Sequence, residues 1–193
     1  MNNNETLKQT ICLNMIVKNE SHIIIDTLTK LLHKIKFDYW VISDTGSTDG
    51  TQELIKDFFN KHCIKGELFE DSWKDFGHNR TLALQEAFDK TDYLVIFDAD
   101  DEICNDFKLP TTLTCDYYHF KFGNEHSITY TRPQLVNNRI KWRYKGVLHE
   151  YLDSFGENRT SGLIDGDYYT ISGRTSSRNQ DPDKYYKDAL ILE

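Results

Sequence analysis

Two rhythms of apolar residues run through the first half of the chain. An apolar run over residues 11–17 is followed by residues 20–35, in which Ile24, Leu28, Leu31, Leu32 and Ile35 return at the three-and-four spacing of one helical face. This predicts a strand and then a helix. The pattern recurs: a short apolar run over residues 39–42 enters the turn-forming stretch Ser43-Asp44-Thr45-Gly46-Ser47-Thr48-Asp49-Gly50, after which Leu54, Ile55, Phe58 and Phe59 share a helical face. Residues 64–69 predict a third strand, residues 78–88 a third helix carrying Leu82, Leu84, Ala87 and Phe88, and residues 93–97 a fourth strand. Strands alternating with helices join by right-handed crossovers into a parallel sheet, whose ligands gather beyond the carboxyl ends of the strands.

After Asp101 the helical spacing stops. Residues 117–122, 128–136 and 140–144 are aromatic and β-branched, which predicts mixed or antiparallel strands. Residues 153–173 are rich in Gly, Ser and Asp, so loops with one strand near residues 168–171 are expected, and a last helix begins at Pro182. The expected class is α/β: a Rossmann-like mixed sheet flanked by helices, forming a single domain over residues 1–193. The last helical pattern is still open at the final residue, as in the N-terminal part of a longer protein.

The composition narrows the partners. With 38% hydrophobic and 13% aromatic residues, the 193 residues can bury one core. A formal net charge of -8 argues against a nucleic-acid groove, which needs clustered Lys and Arg, yet leaves room for a nucleotide whose diphosphate is neutralised by one metal ion or a few local cations. Cys12, Cys63, Cys104 and Cys115 form no CxxC pair, so the reduced thiols of a cytoplasmic protein are expected rather than a zinc knuckle or a disulfide framework. The start MNNNETLKQT lacks the features of an export signal, and no apolar run nears the ~20 residues that span a bilayer.

Two acidic signals carry chemistry. Phe97-Asp98-Ala99-Asp100-Asp101-Glu102 follows an apolar strand and presents carboxylate oxygens suited to Mg²⁺ or Mn²⁺, which bind through one or two carboxylates together with substrate phosphates; a solvated acidic turn is the plainer alternative. Asp44 ends another apolar strand, where a carboxylate can accept the N–H of a base. Asp49 or Thr48 is expected simply to cap the helix that follows.

In chain order, the segments Cys12-Leu13-Asn14-Met15-Ile16-Val17-Lys18-Asn19-Glu20, Val41-Ile42-Ser43-Asp44-Thr45-Gly46-Ser47-Thr48-Asp49-Gly50-Thr51, Asp75-Phe76-Gly77-His78-Asn79-Arg80-Thr81, Asp98-Ala99-Asp100-Asp101 and Gly146-Val147-Leu148-His149-Glu150 resemble glycosyltransferase family 2 of the GT-A fold, in the branch whose catalytic domain often precedes helical repeats. The resemblance covers nearly all of residues 11–193. It implies a metal-dependent transferase acting on a nucleotide-diphosphate sugar, UDP-sugar by preference, with inversion at the anomeric carbon and an acceptor of unknown kind. By the same resemblance Asp44 would meet the base, Glu20 the ribose, and Arg80 the base or diphosphate. Asp100 would be the first ligand of Mn²⁺ or Mg²⁺, Asp98 would lie near ribose or metal, and His149 would complete the metal shell.

Glu150 is the candidate base for the acceptor hydroxyl, with Asp153 as rival. Arg174 or Arg178 would clamp the diphosphate from a late loop. Trp73, Trp142 and Tyr144 either stack on sugar faces or pack in the core. No QxxRW segment of a processive synthase is present.

Two other readings stay open at this stage. Asp44-Thr45-Gly46-Ser47 spells the DTGS of aspartic proteases, although those need a second aspartate and a mostly β chain. A non-catalytic nucleotide- or glycan-binding module would keep the fold without turnover.

Overall fold

A computed structural model describes residues 8–156 and 158–192. Most of the polar start, residues 1–7, lies outside the described residues, as does the final Glu193. The first half alternates as the spacing predicts: β1 (Ile11–Val17), α1 (Ile24–Lys34), β2 (Tyr39–Asp44), α2 (Thr51–Lys61), β3 (Gly66–Glu70), α3 (Phe76–Ala87) and β4 (Tyr93–Ile96). β1 is central, pairing in parallel with β2 on one side and β4 on the other, while β3 extends the sheet beyond β2. Covered on both faces, β1, β2 and β4 read as apolar runs because no position along them faces water for long.

The two faces carry separate cores. Leu13, Met15, Ile42 and Val95 face α1 and α2, meeting Leu28, Leu31, Ile55 and Phe59, with Trp40 stacked on Phe59 at 4.5 Å. Cys12, Val41, Leu94 and Ile96 face the other way, toward Leu84 and Ala87 of α3. Asn14, buried on that second face, donates to the carbonyls of Val41 and Ala83 at 3.2 and 2.9 Å, so a polar side chain in the central strand ties strand to helix.

The second half adds β5 (Glu102–Asn105), β6 (Tyr117–Asn124), β7 (Ser127–Asn137), β8 (Trp142–Lys145), β9 (Tyr151–Ser154), β10 (Ser161–Leu163), β11 (Tyr168–Ile171) and α4 (Lys184–Leu192). The large sheet runs β3-β2-β1-β4-β7-β6-β11-β5, with β10 paired to β6, and the direction reverses at β7. β8 and β9 form a separate ribbon. Among the described residues no helix is long and apolar enough to cross a membrane.

Several expectations need correction. α1 begins at Ile24 rather than Glu20: Asn19 takes the left-handed conformation (φ 57°), and the Glu20 carbonyl accepts the Ile23 and Ile24 amides in a tight turn before the helix. Glu20 therefore lies outside the first helical turn. The α2 cap position is Gly50, not Asp49 or Thr48; Asp49 Oδ1 instead accepts the Thr51 amide and hydroxyl, while its Oδ2 accepts the Ser21 amide. β5, β9 and β10 span 4, 4 and 3 residues, too short for a period to emerge among polar neighbours.

Phe59 is 1% exposed and packed face to face on Trp40. Phe59→Ala should lower the unfolding free energy by about 3–5 kcal/mol, read as a lower midpoint in urea with an unchanged slope.

Candidate active site

The carboxyl ends of β1, β2 and β4 meet on one rim, with Val17 in register with Asp44 and Phe97 donating its amide to the Asn14 carbonyl. Beyond the rim lies a cleft of about 1270 Å³, reached by Glu20, Thr45, Arg80, Asp98, Asp100 and Arg132 and by residues of the late segment 172–191.

Asp44 is fully buried beside the cleft-lining Thr45. Its Oδ1 accepts the Gly46 and Ser47 amides at 2.9 and 2.7 Å and the Gln52 side chain at 3.0 Å, whereas its Oδ2 is buried and has no partner among the described residues. A buried acceptor left unpaired costs about 1–3 kcal/mol unless a ligand supplies a donor.

Asp98 is the hub of the charge network. Arg80, from α3, reaches its Oδ1 at 2.8 Å and with its Nε holds Glu150 Oε1 at 2.8 Å; Arg132, from β7, lies 3.5 Å from Asp98 Oδ2 and 2.6 Å from Asp101 Oδ2. Burial pushes the Asp98 carboxyl up, but the two guanidinium groups outweigh it and hold its pKa below the ordinary carboxylate value. For Asp101, burial and the charge of Asp98 prevail over Arg132 and push the pKa up. Burial also opposes the charge on Arg80, but Asp98, Tyr144 and Glu150 more than compensate and raise its pKa.

The late segment folds onto this acidic rim. Gly173 N donates to Asp101 Oδ1 at 3.2 Å, Ser176 N and Asn179 Nδ2 to Asp100 Oδ2 at 3.1 Å each, and Ser177 N to Glu20 Oε2 at 3.2 Å. Only glycine fits at 173, since an added Cβ would lie 1.6 Å from the Asp100 carbonyl oxygen. Glu20 is 6% exposed, and burial pushes its pKa up to about 7, with the Ser177 amide pulling the other way.

Asp98, Asp100 and His149 all line the cleft. Among the described residues, however, no three His, Cys, Asp or Glu side chains converge into a ready metal cluster. The donor set fits a hard divalent cation held by carboxylates and completed by ligand phosphates, not an all-protein cage. His149 is exposed, with a left-handed backbone (φ 54°). Arg174 is exposed at the cleft, and Arg178 lines it too, paired there with Asp188 at 2.5 Å and lying over the Phe76 ring at 4.3 Å.

The remaining candidates divide. Asp153 is held by Arg143 and Lys145 at 2.8 and 3.0 Å within the β8–β9 ribbon. Trp142 is buried, its indole N–H donating to the Asn137 carbonyl, and Tyr144 lies beneath Arg80, so both pack; Trp73 lines the cleft and is 37% exposed.

The family model described as glycosyl transferase family 2 matches residues 12–114. The chain belongs to this family. No curated protein matches it in sequence. Among solved structures, S. aureus TarS 1-349 in complex with UDP aligns with a TM-score of 0.58 at 16% identity over 95% of this chain and 64% of that one. The same protein in complex with UDP-GlcNAc gives 0.58 at 17% over 94% and 65%. A mannosyltransferase from Pyrobaculum calidifontis, PcManGT in complex with GDP-Man and Mn²⁺, shares 24% identity over 50% of this chain and 29% of its own, with a TM-score of 0.44. The chain thus spans less than two-thirds of the length of these relatives, and the TarS likeness is one of fold, GT-A. For this family 2 domain the matched span contains Glu20, Asp44, Arg80, Asp98 and Asp100, whereas His149, Glu150 and Arg174 lie beyond it.

Sequence reasoning missed Arg132 and the four donors of the late segment. Arg132 belongs to none of the five motif segments; only the pairing of β7 beside β4 brings it to Asp98.

The Glu20 shift has a definite sign. Its folded pKa of about 7 lies above the ordinary 4.5, so stability fully present below pH 4.5 is lost as pH rises through 7. Glu20→Gln, which keeps an acceptor for Ser177, should abolish this loss. By thermal melts the variant should match the parent at pH 4.5 and exceed it at pH 8, by on the order of 3 kcal/mol.

Proposed function

We propose that this domain transfers a glycosyl group from a nucleotide-diphosphate sugar, a UDP-sugar, to a hydroxyl of an acceptor, with inversion at the anomeric carbon. The observation that carries the reading is the buried, unpartnered Oδ2 of Asp44 at the end of β2, an acceptor waiting for the N–H of a base. Asp44 binds the base, and Glu20, at the next strand end, receives the ribose. Exposed Arg174 approaches the diphosphate from the late segment.

Asp100 and Asp98, with His149 in reach of the same cleft, would hold Mn²⁺ or Mg²⁺. When bound, such an ion stabilises the negative charge that grows on the departing diphosphate. Arg80 orients two carboxylates at once, Asp98 toward the donor and Glu150 toward the acceptor, each at 2.8 Å. The acceptor oxygen bonds to the anomeric carbon as the bond from that carbon to the diphosphate oxygen breaks, and the hydroxyl proton passes to Glu150. A cytoplasmic setting agrees with the four free cysteines.

UDP with Mn²⁺ should raise the melting temperature of the domain, whereas UDP alone should do so weakly. Asp100→Ala should abolish the metal-dependent increment. Glu150→Gln should retain it while turnover falls by about 10²–10⁴-fold, and full turnover in that variant would move the base elsewhere. NMR of the product should show the anomeric configuration opposite to that of the donor. Donor binding without transfer or hydrolysis in any acceptor screen would leave the non-catalytic module as the better reading.

A further inference from the structure

The β6–β7 hairpin rises past the rim on the far side of the cleft. β4 ends at Ile96, and its Val95 is in register with Leu135 of β7, so residues 127–132 of β7 run on beyond the end of their β4 neighbour. Arg132 lines the cleft there, and its guanidinium lies over the Phe122 ring at 4.4 Å. Phe122 is fully buried, and the Tyr130 ring stacks on it with centroids 5.1 Å apart and planes 14° from parallel. Register puts Tyr130, paired with Phe122, on the same face as Arg132, paired with Phe120, whereas the bulge between Phe122 and Gly123 turns Ile128, paired with Gly123, to the other face. Tyr130 and Ile128 are each 47% exposed.

We infer that Tyr130, braced on Phe122, is a stacking platform for a pyranose ring of a saccharide acceptor. This rests on the transferase reading and names the acceptor class for the same cleft. The platform is continuous with the cleft through the Arg132–Phe122–Tyr130 stack. Its aromatic surface is fixed in advance by the packing of Tyr130 on Phe122, so little side-chain freedom is lost when a ligand settles on it. The apolar C–H face of a sugar suits a braced aromatic ring of this size. Exposed polar neighbours, Ser127, Thr129 and Thr131, limit the apolar patch to less than an extended lipid or a hydrophobic peptide would need.

The test uses the whole chain with chito-, cello- and manno-oligosaccharides as probes, in the presence of UDP and Mn²⁺, with binding followed by saturation-transfer NMR and calorimetry. At least one series should bind. Tyr130→Ala should weaken that binding by about tenfold, Tyr130→Phe should remain within about twofold of the parent, and Ile128→Ser, on the opposite face of the hairpin, should leave it unchanged. All three variants should keep the melting increment from UDP and Mn²⁺. The inference is overturned if no series binds the parent chain, if Tyr130→Ala binds as well as the parent, or if Tyr130→Phe loses as much as Tyr130→Ala. Should Tyr130→Ala fail to fold, Tyr130→Leu decides it by the criterion set for Tyr130→Ala. Loss of the UDP increment in the parent itself would sink the transferase reading instead, and leaves the oligosaccharide result to be judged separately.

Discussion

Asp98, Asp100, Asp101 and Glu20 crowd one edge of a sheet, and in a largely desolvated setting such carboxylates repel one another strongly. The fold tolerates them because two guanidinium groups enter from different directions, Arg80 from the helix before β4 and Arg132 from β7, the antiparallel strand paired beside it. Asp98 thereby joins the regular parallel half of the molecule to the irregular half. The geometry of the rim depends on both, since removing either cation would leave buried negative charge uncompensated.

The parallel half was legible because its physics is repetitive. Leu28, Leu31, Ile55 and Phe59 recur at helical spacing, and β1, β2 and β4 are apolar because both of their faces are covered. Asp44, Asp98 and Asp100 could be marked as strand-end carboxylates for the same reason. The antiparallel half was legible in its longer strands, β6 and β7, but the contacts made there were not. Arg132 gains its meaning only from register, and the amides of Gly173, Ser176 and Ser177 are backbone groups that no side-chain motif can announce. The helix cap failed for a local reason: Gly50 adopts a left-handed conformation (φ 89°), so Asp49 serves the Thr51 amide from one position farther back.

The late segment gives the rim a roof of donors. Asp100 Oδ2 accepts two of them and Glu20 Oε2 one, so the groups proposed to meet a metal and a ribose are already hydrogen-bonded within the chain. At Asp100 and Glu20 the proposed ligands would enter by an exchange of partners, in contrast to the unpartnered Oδ2 of Asp44. The net gain from such an exchange is much smaller than the strength of the individual contacts formed.

Among the described residues the β8–β9 ribbon pairs with no strand of the main sheet; it hangs from α3 and is pinned to the end of β7 by the Trp142 indole, which donates to the Asn137 carbonyl. The Tyr144 amide donates to the Thr81 hydroxyl at 2.9 Å, Gly77 comes so close to the Gly146 carbonyl oxygen that an added Cβ would lie 2.2 Å from it, and Glu150 is held by Arg80. Such an attachment leaves the ribbon's own strand pairing independent of the register of the main sheet. The strands of the ribbon can lengthen or shorten over evolutionary time without shifting the register of any strand that carries the rim carboxylates, whereas its tip is tethered by the ion pair of Glu150 with Arg80.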